Sequence, residues 1–208
     1  MLSTYRNSLP PVPVENAFYL DLAKVPDIRT FAELLKERGE KFSVVLFIAG
    51  HTPSMDDNEE QCRFGGPLSS DVLHHYLQIN CFSQLILFEA LSMSSCLSEM
   101  CKVVFFSSLA GSIELRGKMP HHVRGGNLAY RISKGALNVA VKNIAYDLEG
   151  SGKIVVAIHP GWVKTRSGGD DADLEVEYSS RKIYDLVVGL KPKDHGKFLI
   201  YNGDELRW

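Results

Sequence analysis

Tyr130 and Lys134 stand four residues apart in the segment from Gly125 to Asn138, and that pairing can do chemistry. Residues at i and i+4 of a helix share one face, so the phenol and the ammonium can enter one cleft. A free tyrosine has a pKa near ~10 and is a poor acid-base catalyst at neutral pH. A cation close by favours the phenolate and lowers that value by roughly 1–3 units. A phenol so tuned can give a proton to a carbonyl oxygen or take one from an alcohol. The plain alternative is a surface Tyr and Lys on an amphipathic helix. The rest of the chain has to decide between them.

The helix that must carry the pair is marked by Val139, Val141, Ile144, Ala145 and Leu148 at helical period, and it stops at Gly150. Before it, Ala17–Leu22 reads as a buried strand and Asp27–Arg38 as a helix stopped by Gly39. Phe42–Ala49 is almost wholly apolar, as in a central parallel strand covered on both faces, and ends at Gly50. A long helix is expected from a Ser69 or Ser70 cap to about Ser95. Lys102–Phe106 and Ile154–Ile158 read as further buried strands, Ser180–Val188 as a helix and Phe198–Tyr201 as a last strand. Strands alternating with helices predict an α/β, doubly wound parallel sheet in a single domain over residues 1–208.

Composition excludes several classes. The 208 residues are enough to bury about 70% of the unfolded surface in one domain. A net charge of -2 gives no electrostatic case for nucleic acid or an anionic membrane. No run approaches the ~20 apolar residues of a membrane span, and Met1–Pro13 lacks a basic-then-apolar signal pattern. Cys62, Cys81, Cys96 and Cys101 have no metal-finger spacing and read as reduced thiols, two or three of them buried, in a cytoplasmic protein.

In a doubly wound sheet, ligands lie outside the carboxyl ends of the strands. There this chain places Gly50, Ser107-Ser108 and Pro160-Gly161, each directly after an apolar run. Asn80 falls inside a helical apolar pattern, where asparagine is unfavourable. Ile48-Ala49-Gly50, Ile79-Asn80, Phe106-Ser107-Ser108-Leu109-Ala110-Gly111, Tyr130 to Lys134 and His159-Pro160-Gly161-Trp162-Val163-Lys164-Thr165 come in a fixed order. With these motifs the chain, from about Arg6 to Trp208, resembles the short-chain dehydrogenase/reductase family. Within it the chain looks most like the C-factor-like carbonyl reductase branch, including Gly168-Gly169 and the ending Gly203–Trp208.

The resemblance implies a Rossmann-like fold and an NAD(P)-dependent oxidoreductase that reduces a carbonyl or oxidises an alcohol. Tyr130 would be the general acid-base. Lys134 would lower its pKa and hold the nicotinamide ribose. Ser108 would bond the substrate carbonyl and stabilise charge on its oxygen. Asn80 would position a water that links Lys134 to solvent. Asp21, Leu22, Ala49, Gly50, Tyr130, Lys134, Pro160 and Gly161 fall on cofactor-binding positions, and Val163 and Thr165 on those that hold the carboxamide. Arg6 matches a basic strand-end residue that favours the 2′-phosphate, hence NADP(H) over NAD(H). The helices at Ser70–Ser95 and Asn127–Glu149 are those through which the family forms homodimers or tetramers. The substrate is a small molecule met by the Gly111–Arg124 and Ser167–Asp173 loops, and no residue there names its class. His121, His122 and Arg124 read as solvated loop residues before an anion site.

The family's opening strand and glycine-rich phosphate turn have no counterpart. None of the 17 glycines falls in Thr-Gly-x-x-x-Gly-x-Gly or Gly-x-Gly-x-x-Gly. Ile48 also replaces the family's Asn. Two readings follow: a truncated form of a longer reductase with impaired cofactor binding, or a rearranged, inactive relative serving as an interaction or oligomer subunit. The first strand is central in the order 3-2-1-4-5-6. Met1–Val25 is therefore expected to leave the usual second-strand position, packing beside Phe42–Ala49 or exchanging with a neighbour.

Overall fold

The longest apolar runs make the middle of a parallel sheet. In the computed structural model, which describes residues 3–5, 16–52, 69–118 and 127–208, β4 (Leu97–Phe106) and β5 (Ile154–His159) pair from Lys102↔Ile154 to Phe106↔Ile158. Val103, Val104, Phe105 and Val155–Ile158 are fully buried, as strands covered on both faces must be. β3 (Phe42–Phe47) joins β4 in parallel, and β6 (Phe198–Ile200) joins β5. A turn at Asn202-Gly203, where Gly203 has φ +96, brings back the two-residue antiparallel β7 (Glu205–Leu206), which the sequence pattern did not show. The order is β3-β4-β5-β6-β7.

Alternation along the strands divides the core into two layers. On one face Phe47, Val103, Phe105, Val155, Ala157 and Phe198 meet α1 (Val25–Glu37), α3 (Ser83–Met93) and α4 (Leu128–Asp147). On the other, Val104, Val156 and Ile158 meet Ile183 and Val187 of α5 (Val176–Gly189). This is the doubly wound α/β arrangement.

α1 opens with a proline in its first turn and closes on Gly39 at φ +67, where the Gly39 and Glu40 N–H groups return to Lys36 and Leu35. The expected long helix is present with an internal irregularity. α2 (Ser70–Leu77), capped by Ser69, passes through a π-turn at Gln78–Phe82 into α3. The buried stripe of α4 also differs from the apolar spacing. Val139 is 60% exposed, while Ser133, Lys134, Leu137, Asn138 and Val141 face inward.

The N-terminal expectation is overturned. β1 (Ser3–Tyr5) pairs in parallel with β2 (Ala17–Tyr19), as second and third strands do in an intact dinucleotide fold. Among the described residues this ribbon is separate from the five-stranded sheet. β2 is also shorter than the strand expected, with Asp21 and Leu22 in the turn before α1. β3 is correspondingly not covered on both faces. Phe47 is buried and stacks on Phe105 at 4.5 Å, but Val44, Leu46 and Ile48 are 41%, 42% and 59% exposed. Leu46 pairs with Val104, so it lies on the α5 side of the sheet, beyond the reach of α5.

Candidate active site

Four chain segments converge at the carboxyl ends of β3, β4 and β5. A Cβ at Gly50 would stand 3.3 Å from Asn80 Oδ1 and 3.5 Å from Lys134 Nζ. The bare glycine thus leaves room for an amide and an ammonium to approach each other. After β4, Ser108 caps a 3-10 turn at Leu109–Gly111, its Oγ accepting the Ala110 N–H at 3.1 Å. The Ser108 hydroxyl lies near enough to the Tyr130 phenol to pull the phenol's pKa down. A Cβ on Gly111 would meet the Lys134 carbonyl carbon at 2.6 Å and Gly135 N at 2.8 Å. The Ser108 turn therefore sits directly on the α4 backbone at Lys134, and only glycine permits that approach.

Asn80 lies in the π-turn, fully buried. Its Oδ1 accepts the His51 N–H at 2.6 Å, and its Nδ2 donates to His51 O at 2.8 Å and Ser133 Oγ at 2.9 Å. Ser133 donates in turn to Tyr130 O at 2.8 Å. The amide so fastens the loop after β3 to the turn of α4 that carries Tyr130. π-turns occur often at functional sites, and here the extra residue turns Asn80 into the site. The aromatic wall continues from Tyr130 to Tyr76, 6.4 Å between centroids, and from Tyr76 to His51 at 4.9 Å.

Lys134 is 4% exposed and donates to Phe106 O at 2.7 Å, which leaves two N–H bonds without a partner among the described residues. Burial lowers its pKa to about 8. Its Nζ lies 6.0 Å from the Tyr130 ring centroid. Burial pushes the phenol above its usual range, while the Ser108 hydrogen bond and the Arg131 charge pull it down. The ammonium bonds the Phe106 carbonyl and not the phenol.

The cofactor positions are partly engaged. Ala49 O accepts from Gln84 Nε2 at 2.8 Å, Asp21 accepts the Ala23 N–H at 3.0 Å, and Leu22 O accepts from Ser83. Pro160 O accepts from Ser179 at 2.7 Å. Gly161 has φ +87, and a Cβ there would lie 2.3 Å from Leu174. Val163 bridges to Leu174, and the Thr165 hydroxyl donates to Val163 O and accepts the Gly168 N–H. Arg6, Cys62, His121, His122 and Arg124 lie outside the described residues. The structure thus brings Gly50, Asn80, Ser108, Tyr130 and Lys134 together, and sets Asp21 and Leu22 beside α1. His51 and Ser133 were missed, and Gly111 was named without its packing role. A buried serine inside the helix pattern and a glycine directly after the Ser108 turn were the available signals.

A family model described as enoyl-(acyl carrier protein) reductase matches residues 6–196. The chain belongs to the short-chain dehydrogenase/reductase family. Its members are NAD(P)-dependent oxidoreductases. An uncharacterized oxidoreductase of Saccharomyces cerevisiae is 30% identical over 200 residues, 89% of this chain and 74% of that protein. The C-signal protein of Myxococcus xanthus is 42% identical over 92 residues, which are 44% of this chain and 55% of that protein. The structure of NADPH-bound carbonyl reductase from chicken fatty liver superposes with a TM-score of 0.77 at 25% identity, covering 93% of this chain and 78% of that one. The chain therefore spans from about half to about three quarters of the length of these relatives. Among the described residues no helix is long and apolar enough to cross a membrane.

Proposed function

We propose that this chain is an NADP(H)-dependent carbonyl reductase or alcohol dehydrogenase with Tyr130 as general acid-base. The reading is carried by the seat of the Ser108 turn on α4 at Lys134, where only glycine fits at position 111, with the Lys134 ammonium 6.0 Å from the Tyr130 ring centroid. The group that fits is a nicotinamide nucleotide, because Lys134 keeps two N–H donors and Gly50 leaves the space above them clear. Lys134 would hold the ribose hydroxyls, and Pro160, Gly161, Val163 and Thr165 would border the ring. When bound, the nicotinamide supplies or accepts the hydride. The chain's part is proton work. Ser108 donates to the substrate oxygen, Tyr130 delivers the proton to it, and Asn80 holds the His51 loop against α4 so that both hydroxyls aim at one point. The preference for NADP rests on Arg6, and on the NADPH-bound carbonyl reductase relative. The chain would act as one domain over residues 1–208 and pair as a homodimer or tetramer. Met93, Val139 and Tyr146 on α3 and α4 are 75%, 60% and 77% exposed, as surfaces awaiting a second copy are.

A second reading is favoured by the missing glycine turn and the bare apolar face of β3. In it the chain is an interaction subunit without turnover. NADPH fluorescence titration of the 208-residue chain separates the two. Micromolar binding, with turnover cut at least ~100-fold by Tyr130→Phe at unchanged binding, supports the reductase. No binding, and no effect of Tyr130→Phe in any assay, supports the subunit.

A further inference from the structure

One turn beyond Lys134, away from Tyr130, lies a buried polar cluster that takes no part in the proton transfer. Tyr130, Lys134 and Asn138 follow at four-residue spacing and so form one stripe on α4. Two strand ends lie beneath it. Ser107 continues the alternation of Val103 and Phe105, and His159 that of Val155 and Ala157, all in the layer that packs under α4. The Ser107 N–H donates to Ile158 O at 2.8 Å, which sets the two ends side by side. Ser107, Lys134, Asn138 and His159 are 4%, 4%, 3% and 9% exposed.

The bonding inside this cluster is incomplete. Ser107 donates to Asn138 Oδ1 at 2.5 Å. Among the described residues, Asn138 Nδ2 and His159 Nδ1 have no hydrogen-bond partner. Lys134 has the single acceptor Phe106 O. Burial and the neighbouring ammonium lower the His159 pKa to about 4, so the imidazole is neutral and one ring nitrogen is an acceptor. Buried polar atoms in native proteins are almost always satisfied, commonly by internal water. Both unpartnered atoms belong to neighbours of one cation: Asn138 stands one turn along α4 from Lys134, and the His159 imidazole feels the ammonium charge.

We propose that Asn138, His159 and Lys134 enclose a binding site for one internal water molecule. The water accepts from Asn138 Nδ2 and from the ammonium, and donates to His159 Nδ1. That makes three hydrogen bonds, the usual number for a buried water. It fixes His159 as the Nε2–H tautomer and gives Lys134 a second acceptor on the side away from Tyr130. Turning the Asn138 amide over exchanges donor for acceptor and still leaves one amide atom for the water.

A crystal structure of the unmodified chain, at a resolution that orders internal water, is the first test. A water about 2.7–3.2 Å from Asn138 Nδ2 and His159 Nδ1 is expected. A dry site, or direct contact between the two side chains, overturns the proposal. The second test is thermal unfolding of Asn138→Leu, His159→Leu and the double variant at pH 7. A shared water makes each single change lower Tm and makes the double loss smaller than the two combined, because the first substitution already displaces the water. Additive losses, or a Tm raised by either leucine, overturn it. Neither readout uses cofactor or turnover, so their failure leaves the reductase reading standing.

Discussion

Gly111→Ala should damage the protein far more than Gly135→Ala, although the two glycines face each other across one contact. A Cβ on Gly111 would lie 2.6 Å from the Lys134 carbonyl carbon and 2.8 Å from Lys134 O and Gly135 N. Carbon atoms pack at about 3.5–4.0 Å, so the overlap is close to ~1 Å. The obstacle is helical backbone, which cannot rotate aside as a side chain would. Overpacking of this kind typically costs ~1–3 kcal/mol. With ~2–4 °C of Tm per kcal/mol for a chain of this size, a fall of about 2–12 °C is expected. The relaxation that remains open is to lift the Ser108 turn from α4, which separates Ser108 from Tyr130. A displacement of ~1 Å at reacting groups can lower turnover by ~100-fold. A Cβ on Gly135 meets only Gly111 O, at 3.5 Å, an ordinary contact. Glycine inside a helix is about 1 kcal/mol less favourable than alanine, so Gly135→Ala should raise Tm by ~2–3 °C. Differential scanning calorimetry of both variants, with NADPH-dependent turnover measured beside it, is the assay. Equal Tm values for Gly111→Ala and the parent chain would refute the argument, as would a loss in Gly135→Ala as large as that in Gly111→Ala.

Acid should weaken the fold through His159. Its pKa falls from 6.5 to about 4 on folding, so the unfolded chain takes up a proton first, and stability falls as pH drops from 6.5 toward 4. By pH 5 the loss is about 2 kcal/mol, and denaturant midpoints of His159→Leu should lack that part of the slope; parallel slopes would contradict it. Asn80→Leu strips partners from the His51 backbone and Ser133, and should lower stability by roughly 2–4 kcal/mol in urea unfolding. An unchanged midpoint would show that the clamp is idle. Gly161→Ala combines φ +87 with a 2.3 Å overlap on Leu174, so adding Leu174→Ala should restore part of the lost Tm and never all of it. Full restoration would mean that the backbone there is unstrained.

Much of the fold was legible because apolar runs and glycine stops act locally. β4, β5, α1 and α4 lie close to where the period placed them. The failures have physical causes. The apolar spacing through Leu73, Leu77 and Cys81 is compatible with an unbroken helix, so the π-turn that aims Asn80 left no mark. The run Phe42–Ala49 says that β3 is apolar, and cannot say which neighbours cover Val44, Leu46 and Ile48. β1 and β2 pair with each other in parallel, a partner choice that spacing within either strand does not encode. At the site, motif order named residues that the fold does bring together, but hydrogen-bond direction is not a property of spacing. Nothing in Tyr130 and Lys134 at i and i+4 tells that the ammonium turns to Phe106 O.

That last point joins the two halves of the proposed chemistry. In the structure as it stands, burial holds Lys134 near 8 and holds Tyr130 above its ordinary range. Neither value suits a phenol that must exchange protons near neutrality. Acceptors placed on the two remaining ammonium N–H bonds favour the charged form and raise the Lys134 pKa. A fully charged ammonium close to the ring then favours the phenolate. On the proposed reading one of those acceptors is a ribose hydroxyl and the other is the internal water on the opposite side. On that reading, nucleotide bound at Lys134 would promote proton transfer at Tyr130. The gain is largest above about pH 8, where an unliganded Lys134 would lose its charge.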